Sequence, residues 1–244
     1  MRVTPLLSSV YVLSRARPPE VMASPTLDLH YFDFPGRAAC IRLALKLAGL
    51  DFTDTRVARD DFVARKTSGF YRFGQMPVLF VGDEKTQLNQ TSSILRYVAK
   101  QAPASGLYPT DDLSAAMVDS CLSQSMDMLF GVSASMYPTR FGVAAYSDDE
   151  EAAHSRKQTR LRLSAEILPT HLAFFEKIAS ENADGPWLVG STPTIADCFL
   201  YTQLKWLSSG MVDDIDTSII TSQVALSEMM AAFAALPAVA AHYA

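Results

Sequence analysis

Residues 27–50 read LDLHYFDFPGRAACIRLALKLAGL, and this stretch decides the fold. Leu27, Leu29 and Tyr31 alternate with Asp28, His30 and Phe32, the two-residue period of a strand, and Pro35 and Gly36 then break the run. A helical pattern follows directly. From Gly36 to Ala48 the apolar residues Ala39, Cys40, Ile41, Leu43, Ala44, Leu45, Leu47 and Ala48 occupy most of the circumference, leaving Arg42 and Lys46 as the polar strip. Such a helix needs cover on more than one side: a sheet beneath it and something else above. Its N-terminus has free backbone N–H groups and the positive end of the helix dipole, so it can hold an anion beside the last side chains of the strand. Tyr31 and Arg37 lie at that junction.

The totals narrow the function classes. A chain of 244 residues, 49% hydrophobic and 19% charged, is an ordinary globular protein with length for one large domain or two small ones. The formal net charge of -5, with acids and bases interspersed, offers no basic face for nucleic acid and no polybasic segment for a membrane, so neither is expected as a partner. Cys40, Cys121 and Cys198 are far apart and form no CxxC pair, which suits a reducing compartment. They read as small buried hydrophobes. His30, His154, His171 and His242 are scattered, and no metal site is expected.

Residues 1–25 stand apart. Arg2, Arg15 and Arg17 precede the first acid, Glu20, and Val3, Leu6, Leu7, Val10 and Tyr11 fall at helical spacing, a pattern also found in organelle transit peptides. Against targeting, Pro5, Pro18 and Pro19 weaken a helix, and Met22 offers an alternative start. A disordered extension is the preferred reading, with organelle targeting as the minority one.

Gly49 closes the first helix, and Asp51–Val57 alternates as a second strand. Arg59–Phe73 is polar and reads as one or two irregular helical turns and a loop. Pro77 opens the strand Val78–Val81, Gly82-Asp83 turns it back into a short strand Thr86–Leu88, and Thr91 N-caps a helix with Ile94, Leu95 and Val98 inward and Arg96 and Lys100 outward. The order is βαβαββα within about eighty residues, too short for a doubly wound dinucleotide domain and without GxGxxG. Beyond the Pro, Ser and Gly linker at 101–112 the pattern is helical only. Ser114–Met136 carries Val118, Cys121, Leu122, Met126, Leu129 and Val132; Asp148–Ser180 opens acidic and ends before a turn at Trp187–Gly190; Thr194–Asp197 caps an apolar helix to Leu207; Ser227–Ala235 is the last clear helix. The expected division is an extension over 1–25, an α/β domain over 26–103 and an all-helical domain over 104–244.

Four motifs in this order are specific together: HYF with Arg37 six residues after the tyrosine, GQMPVLF, QTSSI at the third helix, and TPTIAD in the helical part. With them the chain, from about Thr26 to its end, resembles the glutathione transferase family, in particular its tyrosine-type, sigma-like members. The resemblance implies a thioredoxin-like first domain, an all-helical second, glutathione as co-substrate with no other cofactor, and a cytoplasmic homodimer. Read alone, Tyr31 is a strand aromatic with a satisfied hydroxyl; the resemblance makes it the catalytic tyrosine, assisted by Arg37. A thiol of pKa about 8.5 is only a few per cent ionised at pH 7. A phenol donating to the thiolate supplies roughly 1.5–3 kcal/mol, or one to two pKa units, enough to make thiolate abundant.

The resemblance assigns further residues. Gln90 and Thr91 hold the γ-glutamyl end, Thr91 standing where serine is usual. Gln75 and Met76 precede Pro77, a cis proline in the family, and their backbone pairs with the cysteinyl amide. Phe62 and Lys66 fall where a tryptophan and a lysine contact the glycine end, although a phenyl ring cannot donate the indole hydrogen bond. Asp127 matches an aspartate that reaches the neighbouring subunit's site. The companion acids of the metal-binding, prostaglandin-isomerising branch would fall at Ser123 and Met126 and are absent. Cys40 lies a turn inside its helix, against a cysteine-type transferase. Phe34 and Tyr137 are the candidates for the electrophile pocket. The implied function is conjugation of the glutathione thiolate to small hydrophobic electrophiles. The alternatives are a non-catalytic binder of glutathione or hydrophobic ligands, and a glutathione-dependent isomerase or peroxidase.

Overall fold

The computed structural model describes residues 25–143 and 149–244. The expected N-terminal extension, apart from Pro25, and the expected helix start at Asp148 lie outside the described residues. The first strand, β1 (Leu27–Tyr31), runs through a single 3₁₀ turn at Gly36–Ala38 into helix α1 (Ala39–Leu47), followed by β2 (Thr53–Arg56) and α2 (Arg59–Thr67). Helix α2 is a regular nine-residue helix, where the sequence suggested only irregular turns; Asp60 and Asp61 in its first turn and Arg65 and Lys66 in its last complement the helix dipole. Strands β3 (Val78–Val81) and β4 (Asp83–Asn89) form the hairpin, with a bulge at Phe80/Val81, and α3 (Thr91–Gln101) closes the unit. The sheet order is β2-β1-β3-β4, with β1 parallel to β2 and antiparallel to β3.

The rest is helical: α4 (Asp112–Met136), α5 (Asp149–Arg162), a π turn at Leu163–Ile167, α6 (Leu168–Glu181), α7 (Ile195–Leu207), α8 (Ser218–Thr221), α9 (Val224–Ala234) and α10 (Pro237–Tyr243). The single helix expected from 148 to 180 is thus interrupted by the π turn. The short α8 and α10 were not legible as helices. Among the described residues no single helix is long and apolar enough to cross a membrane.

Helix α1 is covered on both sides, as its composition demands. It shares one buried core with the strands, reaches β2 through the Arg42–Asp54 pair, and is packed by α3, α7 and α10. The Cys198 thiol on α7 donates to the Cys40 carbonyl at 3.0 Å, and all three cysteines are free and buried. In α4 the buried row is Val118, Cys121, Leu122, Ser125, Met128 and Val132, so Ser125 takes the turn position that Met126 was expected to fill, and Met126 faces outward. Arg96, read as facing away, instead pairs with Asp119 of α4 at 2.7 Å.

The outer face of β1 carries a polar network. His30 lies between Asp28, 3.1 Å from Nε2, and the Tyr71 hydroxyl, 3.2 Å from Nδ1, while Arg65 of α2 reaches both ring and phenol. Burial pushes the His30 pKa down, against the pull of Asp28. The network and the rings of Phe70 and Phe80 fix α2 and the following loop to the sheet.

The cap of α7 is built as its sequence predicts. Asp197, fully buried, accepts from the backbone of Leu188 at 2.8 Å and from the backbone and hydroxyl of Thr194 at 2.7 and 2.8 Å, while Thr194 Oγ1 accepts from Ala196. Burial raises its pKa to about 6 against these three donated bonds. Asp197→Ala leaves two backbone N–H groups without an acceptor and is expected to cost about 2 kcal/mol, read as a lower urea midpoint at unchanged slope.

Candidate active site

At the end of β1, Tyr31 turns its ring inward, leaving 6% of the residue exposed, with Phe32 and Phe34 edge-on at 5.5 Å. Its hydroxyl reaches the start of the helix, where it accepts the Arg37 backbone N–H at 3.1 Å. Accepting that bond leaves the O–H itself to be donated. Burial raises the phenol's pKa, opposed by the Arg37 N–H and the Arg37 and Arg42 guanidinium groups, so the hydroxyl is protonated throughout the neutral range. Gly36, at φ +43°, makes the seating possible: a Cβ there would stand 2.5 Å from the Tyr31 oxygen.

Arg37 joins this hydroxyl to a small cleft. Its walls are Gln75, Met76 and Pro77 on one side and Gln90 and Thr91 on the other, with Phe73 and Asn89 completing them. The Met76–Pro77 peptide is cis. Gln90, rather than Thr91, caps α3; it sits at φ +70°, ψ +122°, a backbone conformation rare for a residue with a side chain, and Thr91 is the first helical residue. Holding Gln90 there costs about 1–3 kcal/mol, and Gly adds about 0.5–1 kcal/mol of unfolded-chain entropy. Gln90→Gly is therefore expected to raise unfolding free energy by about 1 kcal/mol in urea denaturation while weakening glutathione binding measured by calorimetry.

The structure brings Tyr31, Arg37, Gln75, Met76, Pro77, Gln90 and Thr91 to one end of the sheet. Phe34 and Tyr137 are each 52% exposed; Phe34 stands edge-on to Tyr31, and Tyr137 directly precedes the turn whose Arg140 bonds Gln75. Lys66 lies along the same rim, its methylenes against Gly74. Phe62 is placed differently: its ring packs on Phe32 at 5.2 Å and Tyr71 at 6.0 Å, and it does not line the cleft. A phenyl ring has no polar edge to send outward, so it joins the aromatic layer. Asp127 is exposed on α4 and is not among the residues that line the cleft.

Two residues were not legible as parts of the site. Arg42, expected in the polar strip of its helix, is 2% exposed. Its Nε bonds both Asp54 oxygens at 3.1 and 3.0 Å, and its guanidinium also donates to the Phe34 carbonyl at 3.1 Å, Pro35 at 3.3 Å and Phe32 at 3.5 Å, the loop between Tyr31 and Arg37. Arg140, from the 3₁₀ turn Pro138–Phe141 after α4, donates to Gln75 Oε1 at 2.9 Å. Asp54 one strand later was the available sign for Arg42; nothing local marks Arg140.

A thioredoxin-like sheet with a cis-proline cleft, backed by an all-helical unit through α1, defines the class. Residues 27–100 match the glutathione S-transferase N-terminal domain and residues 138–244 its C-terminal domain. The chain belongs to the glutathione S-transferase family. It is 31% identical to glutathione S-transferase 1 of Ascaris suum over 75% of this chain and 82% of that protein, and 28% identical to a glutathione S-transferase of Anopheles gambiae over 75% and 80%. A solved structure of prostaglandin synthase D of Nilaparvata lugens superposes with a TM-score of 0.74 at 23% identity, covering 90% of this chain and 97% of that one, which is a likeness of fold.

Proposed function

We propose that the protein is a tyrosine-type, sigma-like glutathione transferase in which the Tyr31 hydroxyl donates to the glutathione sulfur and so stabilises the thiolate that attacks a small hydrophobic electrophile. The observation that carries this reading is the Arg37 N–H to Tyr31 Oη bond at 3.1 Å: it orients a protonated phenol at a helix start beside the cleft. A thiolate formed there meets one hydroxyl donor, the positive end of a helical turn and the Arg37 guanidinium, all of which favour the charged form. Thr91 and the free N–H groups of α3 receive the γ-glutamyl carboxylate, Gln90 the same end, and the backbone beside cis-Pro77 the cysteinyl amide. Lys66 receives the glycine end without help from Phe62.

Phe34 and Tyr137 form the apolar wall on the electrophile side, half-exposed as a docking surface requires. The reading also includes a homodimer, supported by the exposed Asp127 beside exposed Met126 and Phe130 on α4, and a cytoplasmic location, supported by three free cysteines. Titrating the thiolate absorbance of the glutathione complex tests the central point. The bound thiol is expected to ionise one to two units below its free value of about 8.5; ionisation at or above that value removes the mechanism and leaves a ligand-binding relative.

A further inference from the structure

Arg140 stands across the same opening from the opposite domain. The turn that carries it follows α4 directly, and the Arg140 N–H bonds the Tyr137 carbonyl at 3.0 Å, so the guanidinium and the Tyr137 ring leave the backbone within one turn. The guanidinium reaches the Gln75 side chain at 2.9 Å, and Gln75 lines the same cleft as Arg37, which sets Arg140 at its rim. Aromatic rings flank Arg140 in the chain: Tyr137, half-exposed, and Phe141, which packs edge-on against Phe130 at 5.1 Å. Among the described residues no carboxylate pairs with Arg140. Its bond to Gln75 uses a neutral amide oxygen, and a guanidinium has five N–H donors in a fork shaped for an anion.

We propose that Arg140 determines which electrophiles are accepted, favouring those whose apolar body carries a carboxylate. This rests on the conjugation reading above. The Gln75 amide occupies the guanidinium and keeps it aimed across the opening. A carboxylate takes over that position with shorter, charge-assisted bonds, while Phe34 and Tyr137 cover the apolar part. The rim is exposed, so the gain is moderate and sensitive to salt. The glycine carboxylate of glutathione is the competing anion. Lys66 lies along Gly74 on that side of the cleft, whereas Arg140 leaves the backbone beside Tyr137.

Calorimetric titration with two S-aryl glutathiones, one with a carboxylate on the ring and one with its methyl ester, reads the preference without turnover. Wild type is expected to bind the carboxylate about five- to tenfold more tightly, the ratio shrinking at high salt. Arg140→Gln brings the ratio to about one, Arg140→Lys keeps part of it, and unsubstituted glutathione binds within about twofold in all three. Equal affinities in wild type, or a preference that survives in Arg140→Gln, overturn the proposal. So does a loss confined to glutathione itself, which reassigns Arg140 to the glycine end. If neither conjugate binds, both readings fall. If the preference is found but the bound thiol ionises as in water, only the catalytic reading falls.

Discussion

Tyr31→Phe is expected to lower kcat/KM for conjugation of glutathione to a neutral aryl halide by about 8- to 25-fold at pH 7, the ratio of thiolate fractions when the thiol pKa returns from one to two units below about 8.5. The hydroxyl is the only atom removed. The ring keeps its contacts with Phe32 and Phe34, so the loss falls on the chemistry and KM for glutathione stays close to wild type. The pH profile separates this from a structural effect. Burial raises the Tyr31 pKa, so the phenol is a donor across the assay range and the rising limb of the profile belongs to the glutathione sulfur. In wild type that limb is expected one to two units below about 8.5; in Tyr31→Phe it moves back to about 8.5. Above that pH the thiolate forms unaided and the two enzymes converge. A variant whose profile superimposes on wild type at every pH sinks the mechanism, and a uniform loss with an unshifted limb means the ring was displaced.

The parts of this molecule that were legible in the sequence are those whose determinants are local. The two-residue period of Leu27–Tyr31 and the apolar helix after Gly36 specify a strand feeding a doubly covered helix, and the core shared with the strands together with α3, α7 and α10 supplies that cover. Thr194 and Asp197 are three residues apart and define their cap alone. The rest depends on partners distant in sequence. Arg42 reads only as part of a polar strip because period alone cannot tell that Asp54 and three loop carbonyls wait beside it. Gln90 takes the cap position ahead of Thr91 because the chain leaves β4 through a positive φ, which no residue type there announces. Helix α10 was hidden by its Ala-rich composition and the Pro237 that in fact begins it. For the site, the resemblance named the residues, and the geometry separates Arg37, Gln75, Met76, Pro77, Gln90 and Thr91, which line the cleft, from Phe62 in its aromatic layer and Asp127 on the surface of α4.

Arg42→Met is expected to be the most destabilising of the substitutions considered, by about 3–5 kcal/mol. The charge is 98% removed from solvent on its own side, yet it is fully compensated: Asp54 faces it with both oxygens, and the Phe32, Phe34 and Pro35 carbonyls take the rest of the fork. Methionine fills the volume but donates to none of these acceptors. Asp54 retains Arg56 at 2.6 Å, which limits the cost on the carboxylate, whereas the loop carbonyls have no such substitute. Against a usual total of about 5–15 kcal/mol this is a large fraction, visible as a urea midpoint shift. Arg42→Lys keeps the charge without the planar fork and should fall between. The loop it clamps joins Tyr31 to Arg37, so activity tests the same interaction twice. Arg42→Lys, assayed well below its unfolding transition, should lose kcat and raise the pKa of the bound thiol, because the Tyr31 oxygen and the Arg37 N–H no longer hold their 3.1 Å register. Stability within about 1 kcal/mol of wild type in Arg42→Met would mean that water replaces the guanidinium at the loop, and the carbonyl clamp would then have no part in setting the tyrosine.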